Sequence, residues 1–207
     1  KLDTVPARMT YKLRPDEAIV LIGDTPPPAR YFSFRSYLGF VENRPGKDHT
    51  GTPTFGDDAI GWYHRIYCSL GDPLNHLNMW TSNTPGGAAG NAFGSATVLM
   101  TTADQGINRM MRDALTAAGY NPDIINDDNI PPSLVHMGLE KGKDTFLIIM
   151  RAALWDQPDV GNNYLDSIGD HLRVFRITPN TPIAASEPWP VPALRVRETG
   201  VSEYQTI

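Results

Sequence analysis

One cysteine, Cys68, is all that the chain carries in 207 residues. A lone thiol closes no disulfide within the chain and builds no thiolate-ligated zinc or iron–sulfur centre. Long hydrophobic runs are missing as well. The longest, Phe146 to Met150, is strand-sized and far short of the ~18 apolar residues of a membrane-spanning helix. Positive charge is in deficit, with 18 Lys and Arg against 23 Asp and Glu and a net charge of −5. Neutralising phosphates takes a basic surface, so no nucleic-acid partner is expected. Asn83 and Asn180 are each followed by Thr-Pro, which leaves no usable glycosylation sequon. No Gly-x-Ser-x-Gly elbow anchors an α/β-hydrolase reading. The glycines between Gly86 and Gly94 precede a predicted strand and lack a following Gly-Lys-Ser/Thr. They read as a flexible loop, not a phosphate cradle.

What the chain does have is 18 Gly and 18 Pro, with 41% hydrophobic and 20% charged residues. That is the balance of a globular, strand-based fold with many turns. Strands are predicted at Met9 to Leu13, Glu17 to Ile22, Tyr31 to Leu38 and Trp62 to Ser69. Others are predicted at His76 to Trp80, Ala96 to Met100, Thr145 to Leu154 and Leu172 to Ile177. Thr145 to Leu154 is apolar on both faces, which predicts a central strand. One principal helix is predicted over 103–118, with Thr102 and Gln105 as a capping box. Its apolar stripe runs through Ile107, Met110, Met111, Ala114, Leu115 and Ala118 to a stop at Gly119. Asn121 to Pro132 reads as a turn-rich connection, including Asn126-Asp127-Asp128-Asn129, which lacks the ligand spacing of a calcium loop. Five prolines crowd the segment from Pro179 to Pro192 and predict an extended arm. The expected architecture is α+β, a curved, largely antiparallel or mixed sheet with one main helix over 1–178. A proline-rich arm over 179–207 completes it.

Two segments stand out chemically. In an extended strand, alternate residues share a face. Tyr31, Ser33, Arg35 and Tyr37 then line one face of the first, opposite Phe32, Phe34 and Leu38. Tyr63, Arg65, Tyr67 and Ser69 line one face of the second. Arginine supplies a planar fork for a carboxylate, and tyrosine supplies a stacking ring with a hydroxyl. Both faces are therefore candidate ligand-binding surfaces. Asp72 and His76 follow the second strand and are candidates for proton transfer, since strand ends often carry functional groups. The loop from Asn43 to Asp58, with Asp48-His49 and Asp57-Asp58, matches no metal spacing. No cofactor or metal is called for. His64 and Cys68 lie about 13 Å apart along a strand, too far to act as a nucleophile pair. Trp189, between Pro188 and Pro190, reads either as a docking anchor for a partner or as a tack holding the arm to its own domain.

Certain phrases occur together. They are Pro26 to Phe34, then Ser69-Leu70-Gly71-Asp72 with Asn75, then Thr101 to Gln105, then Ile130 to Leu134 with Met137-Gly138-Leu139. In this combination the chain resembles a set of uncharacterised, exported bacterial and eukaryotic proteins built as two successive halves. The resemblance spans roughly residues 17 to 200. It implies that a C-terminal half or second polypeptide completes this one, and it transfers no catalytic residue. A chain opening on Lys1 fits a processed mature protein, a piece cut at a domain edge or a proteolytic fragment, and of these a mature extracytoplasmic protein is expected. Three functions are compatible with the residues. The first is a binding module for an anionic or sugar-like small molecule, through the Tyr/Arg faces. The second is a hydrolase or lyase using Arg35 and Arg65 for substrate charge and Asp72 or His76 for proton transfer. The third is a structural half that assembles with a second chain.

Overall fold

The computed structural model describes residues 10–42 and 63–192. Two sheets form the body, where the sequence suggests one. The first holds β1 (Thr10–Tyr11), β8 (Thr145–Trp155), β3 (Ala29–Glu42) and β4 (Tyr63–Ser69) in that order, with β5 (Leu74–Asn75) also paired to β3. The second runs β7 (Ile125–Asn129), β6 (Ala96–Thr102), β2 (Ala18–Asp24) and β9 (Leu172–Ile177). All pairs are antiparallel except β6 with β7. That parallel pair is joined through α1 (Gln105–Ala117), as a parallel connection requires. The chain is thus α+β with antiparallel and mixed sheets.

Alternation along each strand decides the layering. Leu21 and Leu99 of the second sheet pack against Phe32 and Phe34 of the first. Ala18, Val20, Val98 and Met100 point the other way and are covered by Leu115 of α1 with Ile124 and Ile125. Both sides of the second sheet therefore find apolar cover, which is why β2 and β6 are near-continuous apolar runs. β8 lies between β1 and β3, but β1 covers it only at Phe146 and Leu147, so it is central and buried over its first residues alone. Among the described residues, no helix is long and apolar enough to cross a membrane.

Several local expectations change. The N-cap of α1 is Asp104, not Thr102. Asp104 has extended φ/ψ, and its carboxylate accepts from the Gly106 and Ile107 amides at 2.8 and 3.0 Å. Thr102 is the last residue of β6 and already belongs to the ladder. Met110 of the predicted stripe is exposed, whereas Ile107, Asn108 and Leu115 are buried. His76 to Trp80 is a turn instead of a strand, closed by Asn78 and Met79 amides on the Asn75 carbonyl. The acidic stretch 125–129 is a strand instead of a turn. Tyr63–Ser69 is a strand, as its β-branched and aromatic content predicts.

The strand β4 carries a bulge. Leu38 faces Cys68 and Phe40 faces Arg65, so Ile66 and Tyr67 share the single position opposite Gly39. Tyr67 takes up the extra residue with φ of +49°. Gly39 also lacks a partner on β8, where Leu38 faces Phe146 and Phe40 faces Thr145. A Cβ at Gly39 would meet Leu147 Cδ2 at 2.3 Å. Residues 179–192 of the arm lie against the body: the Ile183 amide reaches Asp16 Oδ2 at 3.2 Å, and Trp189 N reaches Ala103 O at 3.1 Å. The edge strand that the sequence suggests at Leu194 to Val196 lies outside the described residues, as does the rest of the arm.

Candidate functional site

Arg35 and Ser36 are neighbours on β3 and in a regular pleat point to opposite faces. Both end on one carboxylate. Arg35 Nη1 donates to Asp128 Oδ1 at 2.5 Å, the Ser36 amide reaches the same oxygen at 3.3 Å, and Ser36 Oγ bonds Asp128 Oδ2. Thr101 Oγ1 adds a bond to Oδ2 at 2.9 Å. The Arg35 side chain reaches round the strand where its neighbour changes from β4 to β5, passing under Gly71. A Cβ on Gly71 would meet Arg35 Nη2 at 2.4 Å. Arg35 Nη2 then donates to the Asn129 carbonyl at 3.2 Å. Tyr11 closes the network from β1, its hydroxyl 3.1 Å from Ser36 Oγ. Burial, and then the Asp128 charge, push the Tyr11 phenol well above its ordinary range.

This network explains an acidic, amide-rich strand. Asn and Asp disfavour strands because they compete for backbone bonds. In β7 the first three of them, Asn126, Asp127 and Asp128, have tertiary partners. Asn126 is buried; its Oδ1 accepts from Trp80 N at 2.7 Å and its Nδ2 donates to Trp80 O at 2.8 Å. Asp127 Oδ1 takes Asn108 Nδ2 at 2.9 Å and Arg112 Nη2 at 2.8 Å. Asp128 neutralises Arg35. With Asn126, Asp127 and Asp128 matched, the strand can form despite its composition.

Beside Arg35 opens a cleft of about 730 Å³. Asp127 and Asn129 form one side from β7, Asp72, Asn75 and Asn78 another, and Trp189 of the arm a third. Arg35 brings little free charge to it, being paired with a carboxylate that is completely buried. The uncommitted groups include a donor, Arg35 Nε, which is buried without a hydrogen-bond partner, and several acceptors. Asn129 Oδ1 is buried without a hydrogen-bond partner. Asp72 is solvent-exposed, and both bonds to Asp127 end on Oδ1. An acceptor-rich cleft with an indole on its wall suits a ligand that donates hydrogen bonds and has an apolar face.

Of the residues singled out by sequence, Arg35, Asp72 and Trp189 meet at this cleft. The others go elsewhere. Tyr31 stands edge-on to the His76 ring at 5.7 Å, and His76 also contacts Phe32 and Phe93. His76 is thus held among rings with its Nδ1 buried and unpartnered, away from the residues that line the cleft with Asp72. Ser33 is buried between Asn75 and Arg151 in the sheet. Tyr37 is buried with the Arg151 guanidinium 5.0 Å over its ring. Tyr63 pairs with Glu42, and burial followed by the Glu42 charge raises its phenol. Tyr67 is exposed at the bulge with its ring against Phe40 at 5.6 Å. The Arg65 side chain, with Asp48-His49 and Asp57-Asp58, lies outside the described residues.

The alternation rule overlooked two things. The bulge at Ile66 and Tyr67 interrupts the regular face of β4. Asp127, Asp128 and Asn129 were hidden by their low strand propensity. The available signal was their flanking by Ile124-Ile125 and Ile130, all three buried. No protein-family model, no curated protein and no solved structure matches the chain.

Proposed function

We propose that the cleft beside Arg35 binds a neutral, hydroxyl-rich small molecule of the sugar type. The observation that carries the reading is the pairing of Arg35 with Asp128, which removes the guanidinium as an anion receptor. The sequence suggests an anionic or a sugar-like ligand, and the paired arginine favours the second. Asp72, Asp127 and Asn129 offer acceptors to ligand hydroxyls, and Trp189 offers an apolar wall. The test is saturation-transfer NMR and calorimetry against neutral mono- and trisaccharides. The wild type is compared with Asp72→Ala and Trp189→Ala. Binding that is lost in both variants, with unchanged melting curves, supports the site. Binding that persists in the double variant sinks it.

A second reading, assembly with another polypeptide, draws on β9. This strand is the edge of its sheet, with Val174 60% and Phe175 45% exposed. Open edges and apolar patches invite partners. Sedimentation velocity on material purified from its natural source tests it, and a lone monomer would exclude assembly.

A further inference from the structure

We infer that the Trp189 wall of the cleft is a strap latched by Asp104, which makes Asp104 a positioning residue for ligand binding. The inference rests on the cleft being the binding site. Residues 187–189 run antiparallel to 103–105. Gln105 N donates to Glu187 O at 2.8 Å, Trp189 N donates to Ala103 O at 3.1 Å, and Asp104 and Pro188 form the bridge between them.

The pairing does not spread. It is a single bridge, and Pro188 occupies its non-hydrogen-bonded position, where the missing amide hydrogen costs nothing. The few bonds it makes therefore carry the attachment. The strongest is the Glu187 amide to Asp104 Oδ2 at 2.6 Å, a bond to a carboxylate that is 2% exposed. The other oxygen of that carboxylate caps α1 through Gly106 and Ile107. One side chain thus fixes both the helix start and the strap. Two weaker contacts assist. Arg109 Nη2 reaches both Glu187 oxygens, at 2.7 and 2.8 Å, but in the open, where such pairs contribute little. Trp189 Nε1 donates to Thr102 Oγ1 at 3.1 Å, which orients the indole that lines the cleft. Strap detachment removes that wall while leaving Asp72, Asn75 and Asn129 in place.

Amide hydrogen exchange followed by mass spectrometry tests the latch without a ligand. Asp104→Ala is expected to speed exchange over residues 183–191 by about ten-fold or more, with β2, β6 and β8 at wild-type rates. Because Asp104→Ala also removes a helix cap, Glu187→Pro serves as the second variant. It deletes the latch donor and leaves the cap intact, and Glu187→Ala controls for the lost Arg109 pair. If strap exchange stays at the wild-type rate in both Asp104→Ala and Glu187→Pro, the latch is refuted. Maltotriose, cellotriose and xylotriose serve as binding probes. A strap that loosens while a probe binds as tightly as to wild type overturns the positioning role. If none of the three binds the wild type, the sugar-site reading falls, and the exchange data still decide the latch.

Discussion

Arg35 Nη1 lies 2.5 Å from Asp128 Oδ1, with the two side chains only 6% and 0% exposed. This ion pair ties the first sheet to the parallel strand of the second. Its value is one-sided. Removing both charges at once can be nearly neutral, but removing one leaves the other stranded out of water. Asp128 also satisfies Ser36 and Thr101. Asp128→Ala is therefore expected to cost about 3–5 kcal/mol in urea unfolding, and Arg35→Ala to lie in the same range. If Arg35→Ala left stability intact, the arginine would be a free ligand-binding group after all.

Gly71 makes that pair possible by approaching the guanidinium without a side chain. Its Cβ would meet Arg35 Nη2 at 2.4 Å and Cζ at 3.1 Å. Gly71→Ala is expected to destabilise by about 1–3 kcal/mol through overpacking. Gly86 is a useful control, since it has φ of +61° and open space around it. Gly86→Ala is expected to show backbone strain alone, about 1 kcal/mol. The two variants should also differ structurally, with only Gly71→Ala shifting the Arg35 side chain in a crystal structure.

The Tyr11 phenol is raised by burial and then by Asp128, and Tyr164 is raised by burial and then by Asp24. A raised acid keeps its proton better in the folded state. Its stabilising effect is complete below the ordinary tyrosine value of 10.0 and is lost as pH climbs above it. For Tyr11 the slope is about −1.4 kcal/mol per pH unit in that window. Unfolding midpoints are expected to hold steady up to pH 10.0 and then fall. In Tyr11→Phe the fall should be shallower. Absorbance titration of the native chain should show two of its eight tyrosines ionising only on unfolding.

Asp72 is exposed, and the fold asks little of it. Asp72→Ala is expected to change stability by no more than about 0.5 kcal/mol, while removing sugar binding at the cleft. Calorimetry and a melting curve on the same sample separate the two effects. Loss of stability without any binding in the wild type would make Asp72 a structural residue.

The Phe face of β3 was legible in the sequence, and Phe32 and Phe34 are indeed fully buried. So was the position of α1, which rests on local periodicity, whereas β8 is flanked on both sides only near its start. The Tyr31/Ser33/Arg35/Tyr37 face was only half legible. It is a true face of the strand, yet its members serve different neighbours: His76, Arg151 and Asp128. The 125–129 strand was legible only in its flanking isoleucines, since Asn-Asp-Asp-Asn looks like a turn until its partners arrive.

What the sequence determined by itself is most of the inward apolar residues, the main helix and the strongly periodic strands β2, β3, β4, β6, β8 and β9. Apolar periodicity is a property of adjacent residues, and burial follows from it. Only the tertiary structure decided what the polar residues do. Asp128 finds Arg35 across 93 positions, Asn126 finds Trp80 across 46, and Asp104 finds Glu187 across 83. A hydrogen bond depends on distances of a few tenths of an ångström between remote segments, and no local pattern encodes them. One change of strand neighbour, at Gly71, turned a candidate anion receptor into a structural pair and left the cleft beside it with several acceptors and an indole.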